Sequence, residues 1–266
     1  MKIGVFDSGL GGLVITKAFL SQMPEYDYFY FGDSAHLPYG DKTPQQVLDY
    51  TLDAVRYLIA QDCKLIIIAC NTATSISLRY IQQKFIPQYA PDVKVLGVVI
   101  PTVEVASENN AHKIAVVATQ VTVNSHIYQQ ELHKLDKSLD ILEMATPELV
   151  PAIEANDFDK AETIVKNYAQ HFQNCDSLIL GCTHYPLVKE YFRKELPQVK
   201  VVSQDELMVE KLRDYLHRHP EIEKFIGKNH HSNFEVSSLN PHSLAVAQSF
   251  LPKITICKSK ELCPCI

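Results

Sequence analysis

Two stretches of this chain, Gln61-Asp62-Cys63-Lys64-Leu65-Ile66-Ile67-Ile68-Ala69-Cys70 and Gln173-Asn174-Cys175-Asp176-Ser177-Leu178-Ile179-Leu180-Gly181-Cys182, repeat one pattern at an offset of 112 residues. Lys2-Ile3-Gly4-Val5-Phe6 resembles Lys113-Ile114-Ala115-Val116-Val117 at an offset of 111, and Leu37-Pro38 lies against Val150-Pro151 at 113. Three nearly equal offsets point to an internal duplication. Each half must then repeat the same local structure, and an apolar run that ends in cysteine must end in the same place in both.

The local structure is legible from periodicity. Short runs rich in β-branched residues read as strands over Lys2–Phe6, Tyr26–Phe31, Lys64–Ala69, Val93–Val98, Lys113–Ala118, Leu139–Met144, Ser177–Gly181 and Val199–Val202. Helix-periodic segments separate them. In Pro44–Gln61, Val47, Leu48, Leu52, Val55, Leu58 and Ile59 fall on one face, and Thr43 before Pro44 has the chemistry of a helix start. The alternation predicts an α/β fold of two pseudo-symmetric halves, each a mostly parallel sheet flanked by helices.

In open sheets of this kind ligands bind beyond the carboxyl ends of the strands. Cys70 and Cys182 both stand just past such an end, so two halves facing each other across a cleft would present two thiols to one ligand. Cys63 and Cys175, seven residues earlier, fall at the strand entrances and read as structural. That separation also argues against a metal held by the four sulfurs.

With 266 residues, 46% hydrophobic and 21% charged, the chain has material for one or two cores. A net charge of −6 without a basic cluster gives no footprint for direct binding of nucleic acid, so a small-molecule partner is expected. No apolar run approaches the ~18 residues of a membrane span, and the start MKIGVFDSGLGG reads as a first strand, not a secretion signal. Seven cysteines without such a signal are expected as reduced thiols in a cytoplasmic protein. Cys257, Cys263 and Cys265 have no matching second pair, and His217, His219, His230 and His231 have no ligand pattern and are expected at the surface. No zinc site is predicted.

A pair of opposed cysteines suits inversion of a carbon centre. One group removes a proton from one face while another delivers a proton to the other, and an unperturbed thiol pKa near ~8.5 lets one sulfur serve as base and its mate as acid. The ordinary fate of a free cysteine is burial in a core. Here the polar residues after each run, Asn71-Thr72 and Thr183-His184, are poor continuations of a buried strand.

Further candidates lie at the same sheet edge. Asp7-Ser8-Gly9-Leu10-Gly11-Gly12 permits a tight turn whose backbone N–H groups suit a carboxylate. A dinucleotide fingerprint fails at Val14, where the third glycine belongs. Asp7 is a candidate to hold an ammonium group or to tune Cys70, with helix capping as the plainer role. Asp33, Tyr39 and Gly40 lie in the loop after the second strand, where Pro38 and Gly40 also fit a simple turn. His184 near Cys182 can lower a thiol pKa or donate to a carboxylate, and Glu154 is its candidate partner across the cleft.

Phe6-Asp7-Ser8-Gly9-Leu10-Gly11-Gly12, Pro38-Tyr39-Gly40, Ala69-Cys70-Asn71-Thr72-Ala73 and Gly181-Cys182-Thr183-His184-Tyr185-Pro186-Leu187 together resemble the signature segments of the glutamate racemases, in the aspartate/glutamate racemase superfamily. The resemblance covers nearly the whole chain. It implies interconversion of L- and D-glutamate without a cofactor, supplying D-glutamate for peptidoglycan. By the same resemblance the cysteine at Cys182 deprotonates L-glutamate, that at Cys70 deprotonates D-glutamate, and Asp7 and His184 assist. Substrate contacts are implied at Asp7, Ser8, Tyr39, Gly40, Asn71, Thr72, Thr183 and His184, with Thr119 and Thr122 added from the second half.

Pro147 to Glu154 departs from the family pattern, with Leu149 and Ala152 in place of bulkier residues. The family architecture implies a discontinuous first domain, 1–96 plus 204–266, and a second domain, 97–203, with C-terminal helices returning to the first. Two alternatives remain at this level: racemisation of aspartate or a related amino acid on the same thiols, and a regulatory protein of the gyrase-inhibitor type on the same scaffold; a homodimer is compatible with any of these readings.

Overall fold

The computed structural model describes residues 1–108, 111–239, 248, 251 and 254–259. Strands β1 (Lys2–Asp7), β2 (Tyr28–Gly32), β3 (Cys63–Ile68) and β4 (Lys94–Gly97) form one sheet with β9 (Ser232–Val236) and β10 (Ile256–Lys258), in the order β10-β9-β2-β1-β3-β4. A second sheet holds β5 (Lys113–Ala118), β6 (Asp140–Ala145), β7 (Ser177–Gly181) and β8 (Lys200–Val202), in the order β6-β5-β7-β8. All pairings are parallel. The order β6-β5-β7-β8 is the order β2-β1-β3-β4 with each strand advanced by four, which is the expected duplication expressed as topology.

The strands read as continuous apolar runs because helices cover both faces of each sheet. Alternate residues enter different cores. Ile3, Val5, Leu65 and Ile67 join Ile114, Val116 and Ile179 in one core shared by the two halves. Phe6, Ile66 and Ile68 face outward into a core of the first sheet, and Ala115, Val117, Leu178 and Leu180 into a core of the second. The helix Pro44–Ala60 begins as its sequence predicts: the Thr43 hydroxyl accepts from the Gln46 N–H at 3.3 Å while the Gln46 side chain accepts from the Thr43 N–H at 3.0 Å. These reciprocal bonds satisfy two donors that a helix start leaves free.

Three expectations change. The second strand begins at Tyr28, not Tyr26, because a loop takes Asp27 on its other side: its carbonyl accepts from Ile3 of β1, but its N–H donates to the Gly227 carbonyl and its carboxylate accepts from the Asn229 and His231 N–H groups. The C-terminal part adds strands β9 and β10 to the first sheet as well as the helix Gln204–Arg218. In Ser232–Val236 only Phe234 and Val236 are apolar and inward, too weak a pattern to read as a strand. His217, His230 and His231 are exposed as expected, but His219 is half-buried with its ring 4.3 Å from that of Tyr215. Cys63 is buried at the entrance of β3 and Cys175 is buried just before β7, the ends remote from Cys70 and Cys182. Cys263 and Cys265 lie outside the described residues.

Candidate active site

In each sheet the chain winds outward in opposite directions from the central pair, β1 and β3 or β5 and β7. The carboxyl ends of such a pair open a crevice. Asp7 closes β1, Cys70 follows β3, Thr119 follows β5 and Cys182 follows β7. The two crevices face each other. One pocket is lined by Ser8, Leu37, Pro38, Tyr39, Gly40, Cys70, Asn71 and Thr72 of the first half, and by Thr119, Val150, Glu154, Cys182, Thr183 and His184 of the second.

Cys70 is the N-cap of the helix Asn71–Tyr80. Its sulfur accepts from the Ala73 N–H at 3.4 Å and donates to the Ser8 hydroxyl at 3.4 Å. Burial pushes the Cys70 thiol up to about 12, and the Asp7 carboxylate adds to the rise against the opposing hydrogen bonds from Ser8 and Ala73. The Cys182 sulfur lies 3.8 Å from His184 Nδ1, and the other ring nitrogen, Nε2, pairs with Glu154 Oε1 at 3.1 Å. Burial of His184 disfavours its charged form, but hydrogen bonds and charge from Cys182 and Glu154 outweigh it and hold the imidazole well above its ordinary value. The two thiols therefore have unlike surroundings, one backed by a carboxylate and one by an imidazole that favours a proton.

Asp7 is not a helix cap. It is fully buried, its Oδ2 accepts from the Gly9 N–H at 3.0 Å, and its Oδ1 accepts from the Thr183 hydroxyl of the other half at 3.1 Å. The cleft is spanned a second time by a triangle of hydroxyls, with Thr72 2.9 Å from Thr119 and 3.2 Å from Thr122, and Thr119 3.0 Å from Thr122. Asp33 lies under the pocket wall, its carboxylate accepting from the Tyr39 hydroxyl at 2.7 Å and the Ser237 hydroxyl at 2.7 Å.

The structure thus gathers every candidate in one place, with differences of position. Asp7, Thr122 and Asp33 stand behind the lining and hold it. Glu154 meets His184 as expected, but from the same half: both flank the second sheet, so the pair does not cross the cleft. Leu37, Pro38 and Val150 add apolar lining, the first two and the last from the repeated Leu-Pro and Val-Pro segments. Tyr128 and Gln204, buried against Asn71, and Thr102 beside Gln204 are not legible in the sequence as site residues. The signal for Gln204 was its place two residues past the end of β8, at the same carboxyl edge as the cysteines.

The sequence model of the Asp/Glu/Hydantoin racemase family matches residues 14–212. The chain belongs to that family. A glutamate racemase of Roseobacter denitrificans is 38% identical over 236 residues, which cover 83% of this chain and 87% of the relative. The crystal structure of glutamate racemase from Francisella tularensis in complex with D-glutamate superposes with a TM-score of 0.88 at 31% identity, covering 98% of each chain. Glutamate racemase from Bacillus anthracis gives a TM-score of 0.87 at 29% identity, covering 97% of each chain. The expected α/β architecture and the racemase class are therefore both borne out. No helix among the described residues is long and apolar enough to cross a membrane.

Proposed function

We propose that this chain interconverts L- and D-glutamate, with Cys182 taking the α-proton of the L-enantiomer and Cys70 that of the D-enantiomer. The observation that carries this reading is the pair of thiols, from equivalent strand ends of the two halves, lining one pocket. The named relatives and the structural neighbour that holds D-glutamate support glutamate as substrate.

The unlike surroundings support the following resting protonation. Cys70, pushed up to about 12, rests as a thiol and is the acid. His184, holding a proton between Cys182 and Glu154, places positive charge where a Cys182 thiolate needs it. In the L-to-D direction Cys182 accepts the α-proton, the carbanion forms, and the Cys70 S–H delivers its proton to the opposite face. The reverse reaction runs from the state this leaves, with the proton on Cys182 and the negative charge on Cys70. The Ser8 hydroxyl, which accepts from the Cys70 S–H at rest, is placed to donate to that charge once the proton has left. Carboxylate groups of the substrate have donors available at the Asn71 amide and the threonine hydroxyls.

The pocket has a volume of about 30 Å³, room for a water molecule but not for a five-carbon amino acid. Entry therefore requires the halves to part, breaking the hydroxyl triangle and the Asp7–Thr183 bond. We further propose that the halves move as the domains 1–96 plus 204–266 and 97–203, and that the enzyme works in the cytoplasm without a cofactor, supplying D-glutamate for peptidoglycan.

The test is incubation of L-glutamate and, separately, L-aspartate in deuterated water, following optical rotation and loss of the α-proton signal. Inversion of glutamate with deuterium incorporated at the α-carbon is expected. Turnover of aspartate alone would overturn the substrate assignment, and inversion without exchange would overturn the two-thiol proton transfer.

A further inference from the structure

The segments 97–99 and 203–204 carry the chain from one sheet to the other and back, and four buried polar side chains meet beside them. Thr102 lies on the helix Val99–Ala106 after the first passage, and Gln204 opens the helix Gln204–Arg218 after the second. Asn71 opens the helix behind Cys70, and Tyr128 lies on the helix Ile127–Leu135 of the second half. All four are nearly or completely buried.

Their hydrogen bonds have a fixed polarity that starts from the backbone. The Thr102 hydroxyl donates to the Val98 carbonyl at 2.6 Å, so only its lone pairs remain. The Gln204 group facing it at 3.4 Å must then be the amide nitrogen. With Nε2 on that side, Gln204 donates to Asn71 Oδ1 at 2.8 Å, and its own Oε1 accepts from Asn71 Nδ2 at 3.0 Å. Tyr128 donates to the same Asn71 Oδ1 at 2.6 Å. Both lone pairs of that oxygen are thereby used and one of the two Nδ2 hydrogens is engaged. What remains to Asn71, which lines the pocket, is a single N–H.

We propose that Gln204 is a positioning residue that locks the Asn71 carboxamide with its N–H, not its oxygen, toward the substrate, so that this point of the site accepts a carboxylate and refuses an ammonium group. Reversal of the Asn71 amide would set two amide nitrogens and two amide oxygens against each other at the Gln204 contact. It would also leave two buried acceptors unfilled, a cost of the size that decides ligand orientation. The lock draws its polarity from Val98 and Thr102 at one passage and its amide from Gln204 at the other, so substrate orientation is tied to the closed arrangement of the halves. This inference rests on the racemase reading of the pocket.

The experiment is a cycle of Gln204→Met and Asn71→Ala, singly and together, with initial rates measured on L-glutamate, or on L-aspartate should the wild type turn over only that. The substrate assignment can thus fail while the positioning claim is still tested. Gln204→Met is expected to raise KM about tenfold with kcat changed far less, and to add nothing in the Asn71→Ala background. Tyr128→Phe, which frees one lone pair of Asn71 Oδ1 at constant shape, is expected to raise KM in the same direction, and it serves where Gln204→Met does not fold. Gln204→Glu, which has no amide hydrogens to give, is expected not to restore the wild-type KM. An unchanged KM in Gln204→Met and Tyr128→Phe, or an equal loss with and without Asn71, would overturn the proposal.

Discussion

The Thr183 hydroxyl of one half donates to the buried Asp7 carboxylate of the other at 3.1 Å, joining the ends of β7 and β1 directly beside both candidate thiols. Burial first, and the same carboxylate in addition, raises the Cys70 thiol, so one group both closes the cleft and helps keep its acid protonated. Replacing Thr183 with Val keeps the shape and removes the donor. A loss of about 1 kcal/mol in urea denaturation is expected, the ordinary net worth of a hydrogen bond, together with a clear fall in racemisation.

Cys70→Ser and Cys182→Ser should each lower racemisation by roughly 10²- to 10⁴-fold, the range over which a positioned acid or base acts. A serine hydroxyl keeps the size but ionises far less readily than a thiol. Circular dichroism of glutamate solutions follows the inversion, and wild-type rate in either variant would rule out two thiols acting together.

Glycine at position 11 is required by the approach of the halves. A Cβ there would come within 2.6 Å of Thr183 Oγ1 and 2.8 Å of His184 Nδ1, neither able to withdraw without leaving its partner. Gly11→Ala should fold, with far-ultraviolet circular dichroism unchanged, and yet lose most activity because the cleft cannot close. Small-angle scattering should show a slightly more open particle.

The raised pKa of His184 makes a prediction about stability against pH. A group that binds its proton more tightly in the folded than in the unfolded chain stabilises the fold fully below its unfolded value, here 6.5. That contribution fades as pH rises through the higher folded value. The stability difference between wild type and His184→Gln should therefore be largest on the acid side of 6.5 and shrink in more alkaline solution. Denaturant melts at a series of pH values measure it. Glu154→Gln removes one of the two groups, with Cys182, that hold the proton and should move the fading to lower pH.

Among the described cysteines only Cys257 is exposed, whereas Cys63, Cys70, Cys175 and Cys182 are buried. Cys63 and Cys70 are both pushed up to about 12, chiefly by burial, leaving little thiolate at neutral pH. Brief treatment with iodoacetamide at pH 7 should label Cys257 well before Cys63 or Cys70, with peptide mass spectrometry as the readout. Denaturant should abolish the difference.

The sequence by itself determined the duplication, the parallel strands and the positions of Cys70 and Cys182 past a strand's carboxyl end. These are local properties: apolar periodicity fixes which residues face a core, and the repeat fixes that both halves do so alike. It also determined the Thr43–Gln46 helix start, whose partners lie three residues apart. Tertiary structure alone decided which distant groups meet. The Asp7–Thr183 bond, the Thr72–Thr119–Thr122 triangle, the placing of Glu154 on the same side as His184, and the enclosure of Asn71 by Tyr128 and Gln204 join residues far apart in the chain. A polar side chain carries no periodic signal for its partner. Only when two sheets pack about one shared core do the ends of β1, β3, β5 and β7 come close enough for those hydrogen bonds to form.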